Sequence, residues 1–222
     1  MSPEKATIVE RAVVAVSDEV TLEVDRRVIH LFARVSDAIA GATDALLSGD
    51  RERAKTLVRG DAEIDSLYRQ IDTLVLDHLR VAAGQPEIVE YCVSVLRLLP
   101  ELERSGDLAA HIARRATRGV AAETSPRARG LIERMGEVAT SMWAMAADAY
   151  GDRSPSIALR LDEFDDEMDE LHLTLIAELA SGEMALPIVI ELTLVARFYE
   201  RLGDHAVNVT RRVPPRPRPG PR

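Results

Sequence analysis

Four pairs of acidic side chains recur along the chain at a spacing of four: Asp61 with Asp65, Glu103 with Asp107, Asp165 with Asp169, and Glu200 with Asp204. Residues four apart are neighbours on an α-helix, so each pair sets two negative charges on one face, a repulsion of about 0.2–0.5 kcal/mol. In two of the pairs a glycine precedes the second acid, Gly106 and Gly203. An interior helical glycine costs about 1 kcal/mol more than alanine. A cation held between the pairs would turn the repulsion into attraction. Sites built from oxygen alone suit Mg, Ca or Mn, or iron with further ligands, better than zinc or copper. The competing reading is a solvated acidic face beside Arg104 and Arg201, and the glycines then serve only to let helices approach closely. The fourfold recurrence shifts the weight towards the metal reading and leaves the two readings about level. His111 and Asn208, one turn beyond Asp107 and Asp204, fall on the same stripes. His172 lies three beyond Asp169, but Tyr68 stands at its counterpart.

The elements that carry these acids repeat. The stretch 102–115, LERSGDLAAHIARR, lies over 199–212, YERLGDHAVNVTRR, at an offset of 97, with seven of fourteen positions identical. Upstream, DAEIDSL (61–67) lies over DDEMDEL (165–171) at an offset of 104. Two tandem copies of one supersecondary unit follow. In the last segment Ile188, Leu192, Val195, Tyr199, Leu202, Ala206, Val209 and Val213 alternate spacings of four and three, the seam of a helix packed lengthwise in a bundle. Leu98, Leu102, Ala109, Ile112 and Ala116 take the matching places in the first copy. Ile64, Leu67, Ile71 and Leu74 form a seam upstream, as do Ile157, Leu161, Phe164, Met168, Leu171 and Leu175.

Turn signals at 48–50, 84–86, 151–155 and 181–182 separate the helices, and Pro126 suits a helix start. The pattern predicts an all-α protein of two tandem three-helix bundles, with helices over 20–48, 51–82, 87–119, 126–150, 155–180 and 186–213. The bundles span 20–121 and 122–213, after an N-terminal extension, 1–19, that can lengthen the first helix. The alternation Val20-Thr21-Leu22-Glu23-Val24 is strand-like but isolated. The Pro/Arg tail, 214–222, cannot continue a helix and reads as an extended or disordered arm.

A chain of 222 residues can bury a sizeable core. Its net charge of −9 argues against a nucleic-acid surface. Cys92 is the only cysteine, which excludes an intrachain disulfide and a cysteine-built zinc site, and it reads as a small buried hydrophobe. No apolar run reaches membrane-spanning length and no signal peptide is evident, so the sequence points to the cytoplasm.

With these motifs the chain resembles the PhoU family of phosphate-uptake regulators over about residues 20–213. The carriers are ERLGDHAVNV (200–209), LERSGDLAAHI (102–112), the two Asp-x-x-x-Asp stretches, and ATDALLSGD (42–50). The resemblance implies two three-helix bundles in tandem and multinuclear metal sites, with Fe, Mn or Mg as candidates. Those sites would rest on Asp61, Asp65, Glu103, Asp107, Asp165, Asp169, Glu200 and Asp204. It also implies a homodimer that acts with the phosphate ABC transporter ATPase and a phosphate-sensing histidine kinase, meets the membrane only through those partners, and represses the phosphate-starvation response. The family often opens its third helix with an Asp-Leu-Arg run after Gln-Pro, whereas Gln85-Pro86 leads here into EIVEYCVSVLR. That departure puts a partner contact there in doubt.

No nucleophile with a base and no Gly-rich phosphate loop is evident, so the expectation is a non-enzymatic regulator and adaptor. A carboxylate-bridged di-metal oxidase would need Glu-x-x-His motifs. No glutamate here has a histidine three residues later. A purely structural helical adaptor, its acids solvated, is the remaining alternative.

Overall fold

The computed structural model describes residues 3–82, 85–152 and 156–213. They form six α-helices: α1 (Pro3–Ser48), α2 (Arg51–Val81), α3 (Pro86–Ala116), α4 (Pro126–Asp152), α5 (Ser156–Leu179) and α6 (Leu186–Thr210). A short 3-10 turn, Val120–Glu123, links α3 to α4. No strand occurs among the described residues. The expected Pro/Arg tail lies outside them.

Local chemistry sets the boundaries. Asp50 caps α2, its carboxylate accepting from the backbone N–H groups of Glu52 at 3.1 Å and Arg53 at 2.9 Å. The Ser125 hydroxyl accepts from the Ala128 N–H at 3.1 Å, just ahead of Pro126. Gly49 and Gly182 take φ values of 71° and 83° after α1 and α5, a left-handed turn that suits glycine. The first helix starts far earlier than residue 20, because the extension is continuous with it from Pro3. The strand-like stretch at 20–24 is helical too. Thr21, Val24, Val28 and Leu31 are buried at spacings of three and four, so the helical period continues through it.

In the first half α1, α2 and α3 pack together, and in the second half α4, α5 and α6 do the same. The halves join along α1–α4 and α3–α6. The expected seams form the core. Ile188, Leu192, Val195, Tyr199, Leu202, Ala206 and Val209 are all buried, as are Leu98, Leu102, Ala109, Ile112 and Ala116. Cys92 is buried, and burial pushes its thiol up to about 11, which leaves it protonated and unreactive at neutral pH.

Polar contacts lock the two halves. The Asp25 carboxylate on α1 accepts from the hydroxyls of Tyr91 at 2.8 Å and Tyr150 at 2.6 Å. Thr43 on α1 meets the Tyr199 hydroxyl on α6 at 2.7 Å. Across the α3–α6 seam, Ser105 meets His205 Nδ1 at 3.0 Å, and Arg212 donates to Glu101 at 2.6 Å. At the other end of that seam the Arg115 guanidinium lies 5.1 Å from the centre of the Phe198 ring. These contacts make the two bundles one body and fix where α3 and α6 present their outer, acid-bearing faces.

Candidate functional site

The helix order brings the four acidic pairs together two by two. Within the first half the charges of Asp107 and Asp65 act on Asp61, and those of Asp107 and Asp65 act on Glu103. The pairs 61/107 and 65/103 run in opposite senses, as antiparallel α2 and α3 require. Within the second half Asp169 and Asp204 act on Asp165, and Asp204 acts on Glu200. Asp61, Asp65, Glu103, Asp165 and Glu200 are half-buried, while Asp107, Asp169 and Asp204 are exposed.

The electrostatics match in the two halves. Burial, with Asp107 and Asp65 nearby, pushes the Asp61 carboxyl up to about 6, and Arg114 works against the shift. Burial, with Asp169, Asp204 and Asp162 nearby, pushes Asp165 up to about 6, and Arg211 works against it. Arg114 and Arg211 are counterparts at the offset of 97, so the counter-charge is duplicated along with the acids. Glu103 and Glu200 are also pushed up, chiefly by burial and next by Asp107 and Asp204 respectively. One oxygen of Glu200, Oε2, is buried without a hydrogen-bond partner.

The glycines explain how the acids come so close. A Cβ on Gly106 would sit 2.8 Å from Ile64 Cδ1 and 3.4 Å from Asp61 Oδ1. A Cβ on Gly203 would sit 3.2 Å from Asp165 Oδ1. Each glycine therefore seats the first aspartate of the neighbouring helix, so close approach is its role in this fold.

The secondary candidates divide. His172 lies close enough to Glu200 for its charge to act there. Tyr68, its counterpart, stands in the same relation to Glu103. His111 instead packs its ring on Phe198, 5.4 Å between centroids, in the seam between the halves, with Asp107 nearby. Asn208 is half-buried on α6. The sequence reading missed the roles of Arg114 and Arg211, although both lie in the repeated Arg-Arg pair. It also missed Arg197, which ion-pairs with Glu200 from one turn earlier and stands where α3 has Pro100.

The chemistry of the site fits a hard cation. Its donors are carboxylate oxygens, one of them a buried orphan, and their ionisation is opposed by burial and by one another. Among the described residues no three His, Cys, Asp or Glu side chains already converge as a ligating group. Side-chain rotation about the helices would have to complete one.

The PhoU domain model matches the chain at residues 28–116 and again at 132–213. The phosphate-specific transport system accessory protein PhoU homolog 2 of Mycobacterium tuberculosis (strain ATCC 25618 / H37Rv) is 30% identical over 194 residues, covering 86% of this chain and 91% of that protein. PhoU homolog 1 of the same strain is 33% identical over 184 residues, covering 79% and 81%. The crystal structure of PhoU from Pseudomonas aeruginosa superposes with a TM-score of 0.82 at 25% identity, covering 88% of this chain and 96% of that one.

Proposed function

The chain belongs to the PhoU family, and we propose that it is a non-enzymatic regulator of phosphate transport and phosphate-starvation signalling, with carboxylate metal sites. The observation that carries this reading is the duplicated acidic quartet within a chain that aligns over 79–86% of its length with phosphate-transport accessory proteins. As a homodimer in the cytoplasm it would connect the ATPase of the phosphate ABC transporter to a phosphate-sensing histidine kinase. No helix among the described residues is long and apolar enough to cross a membrane. The net charge of −9 disfavours direct binding of nucleic acid.

In each half the quartet would hold iron, manganese or magnesium: Asp61, Asp65, Glu103 and Asp107 in the first, Asp165, Asp169, Glu200 and Asp204 in the second. A bound cation supplies charge neutralisation and a cross-link between the two helices that carry each quartet. Arg114 and Arg211 partly offset the acids on their own.

Deletion of the gene tests the regulatory reading. Phosphate-uptake and phosphatase genes should be derepressed in phosphate-rich medium. Unchanged expression, in a strain with no paralogue, would sink it. A pull-down from cells grown in high and low phosphate tests the partners, with the transporter ATPase and the kinase expected in a phosphate-dependent ratio.

A further inference from the structure

A cavity of about 400 Å³ opens on the first half among α1, α2 and α3, with Arg34, Ala38, Gly60, Asp61, Ile64 and Ala110 in its lining. The internal repeat shows which residues stand at the corresponding positions of the second half. Arg34 on α1 ion-pairs with Glu63 on α2, and Arg134 on α4 ion-pairs with Glu167 on α5 at 2.7 Å. This shared pair sets the first helices of the two halves at an offset of 100, beside 104 for the second helices and 97 for the third. Gly60 then corresponds to Phe164, Ala38 to Val138, and Ala110 to Val207. All three positions carry a larger side chain in the second half, where Phe164 packs, partly buried, against the core. A Cβ built on Gly60 meets nothing within 4 Å. The first half thus has no ring at the position where the second half carries Phe164.

We propose that this cavity receives an aromatic side chain of a partner protein, presented beside a lysine or arginine. The size of the occupant comes from the repeat, since the second half, with the same framing ion pair, carries a partly buried phenyl ring at the position of Gly60. The apolar floor of Leu57, Ile64 and Ala109 suits such a ring. The adjacent charge comes from the rim. Arg34 is committed to Glu63, and Arg59 donates to the carbonyl of Lys55 one turn back on its own helix. Arg59 keeps its charge, and against it stand Asp37 and Asp61, with Asp61 backed by Asp65 and Asp107, which leaves this side of the rim net acidic. A basic neighbour on the incoming segment would meet that acidic wall. A buried ring flanked by a charge that steers it into place is the usual form of an interface anchor.

The test uses full-length protein in chelator, followed by amide NMR during titration with acetyl-Arg-Phe-amide. Shifts should concentrate at Gly60, Asp61, Ile64 and Ala110 and vanish in Gly60→Phe. Acetyl-Arg-Ala-amide and acetyl-Glu-Phe-amide should bind at least about tenfold more weakly. If Gly60→Phe does not fold, the double variant Ala38→Val/Ala110→Val, built from the second half's own residues, is read in the same way. The proposal is overturned by the absence of shifts at millimolar peptide, by shifts that survive the filling variant, or by equal binding of the alanine peptide. It is also overturned if benzylammonium binds more tightly than the peptide, which marks a small-molecule pocket. Shifts at these same amides on concentrating the free protein would assign the cavity to a second copy and overturn it as well.

Discussion

At Gly106 an added methyl would press on Ile64 at 2.8 Å, whereas at Gly203 the nearest atom would be Asp165 Oδ1 at 3.2 Å. The two helix pairs carry the same acids in the same order, the same opposing arginine and the same upward shift of the first aspartate, but they are packed differently. In the first half a branched aliphatic side chain lies against the glycine. In the second half the glycine faces the carboxylate and Met142, and Arg197 adds an ion pair to Glu200 that Pro100 cannot supply in α3. Beside the acids the first half has open space at Gly60, where the second half carries the partly buried Phe164. The eight acids and their opposing Arg114 and Arg211 are what the two copies share, and packing, with the added Arg197, is where they differ. That pattern fits a function that depends on the acids in both halves and uses the remaining surfaces separately.

Metal should give the largest effect. At a concentration about a hundredfold above its Kd, Mn or Fe(II) should stabilise the native state by about 2.7 kcal/mol per site. Asp204→Asn should lose the contribution of the second site and keep that of the first, while Asp107→Asn should do the converse. In chelator either change should be neutral, or stabilising by up to about 0.5 kcal/mol, because it relieves repulsion. Melting curves of the three proteins in chelator and then in metal check this. If metal raises no curve, or raises all equally, the quartets are solvated faces.

Glycine replacement comes next. Alanine gains about 1 kcal/mol of helix propensity at either site. At Gly106 overpacking against Ile64 should exceed that gain and leave a net loss of about 1–2 kcal/mol. At Gly203 the two terms should nearly cancel. Urea denaturation of both variants measures the difference, and equal losses would break the contrast between the halves. Gly60→Ala should have the opposite sign, a gain of up to about 1 kcal/mol, because the new methyl enters open space. A loss in the same urea series would mean that the groove at Gly60 is closed.

The pH response should be smallest and alike in both halves. Asp61 and Asp165 have folded values near 6, above the 3.8 of a free aspartate, so the folded state holds their protons more tightly. The stability they contribute is fully present below about 3.8 and is lost as pH rises through about 6. Both carboxyls keep partial solvent contact, so each contributes less than about 1 kcal/mol. Metal-free protein should therefore lose stability between pH 4 and pH 6 at these two groups, and Asp61→Asn and Asp165→Asn should each remove a similar share. A share removed by only one of them would show that the halves differ in charge as well as packing.

Much of this was legible in the sequence. The heptad seams located α2, α3, α5 and α6, because burial along a helix repeats every three or four residues and leaves that period in the chain, while turn signals bounded α1 and α4 and set the start of α1 too late. The offsets of 97 and 104 exposed the duplication, and the four acidic pairs were plain from spacing alone. The offset of 100 between α1 and α4 was not, since few identities survive there and the match emerges only from the paired Arg34–Glu63 and Arg134–Glu167 contacts. The contacts that join the halves left no local signal either. Thr43 and Tyr199 are 156 residues apart, and neither type at its position announces the other.

The sequence by itself determined the helices, the repeat and which acids share a helix face, since each of these follows from spacing along a single helix. Only the tertiary structure decided that Asp61 and Asp165 are half-buried while Asp107 and Asp204 are exposed, that Gly106 is filled by Ile64, and that the groove at Gly60 stands open. Those outcomes depend on the separation and rotation of neighbouring helices. An ångström of approach there changes both the desolvation of a carboxylate and the room for a methyl group, and no spacing within one helix encodes it.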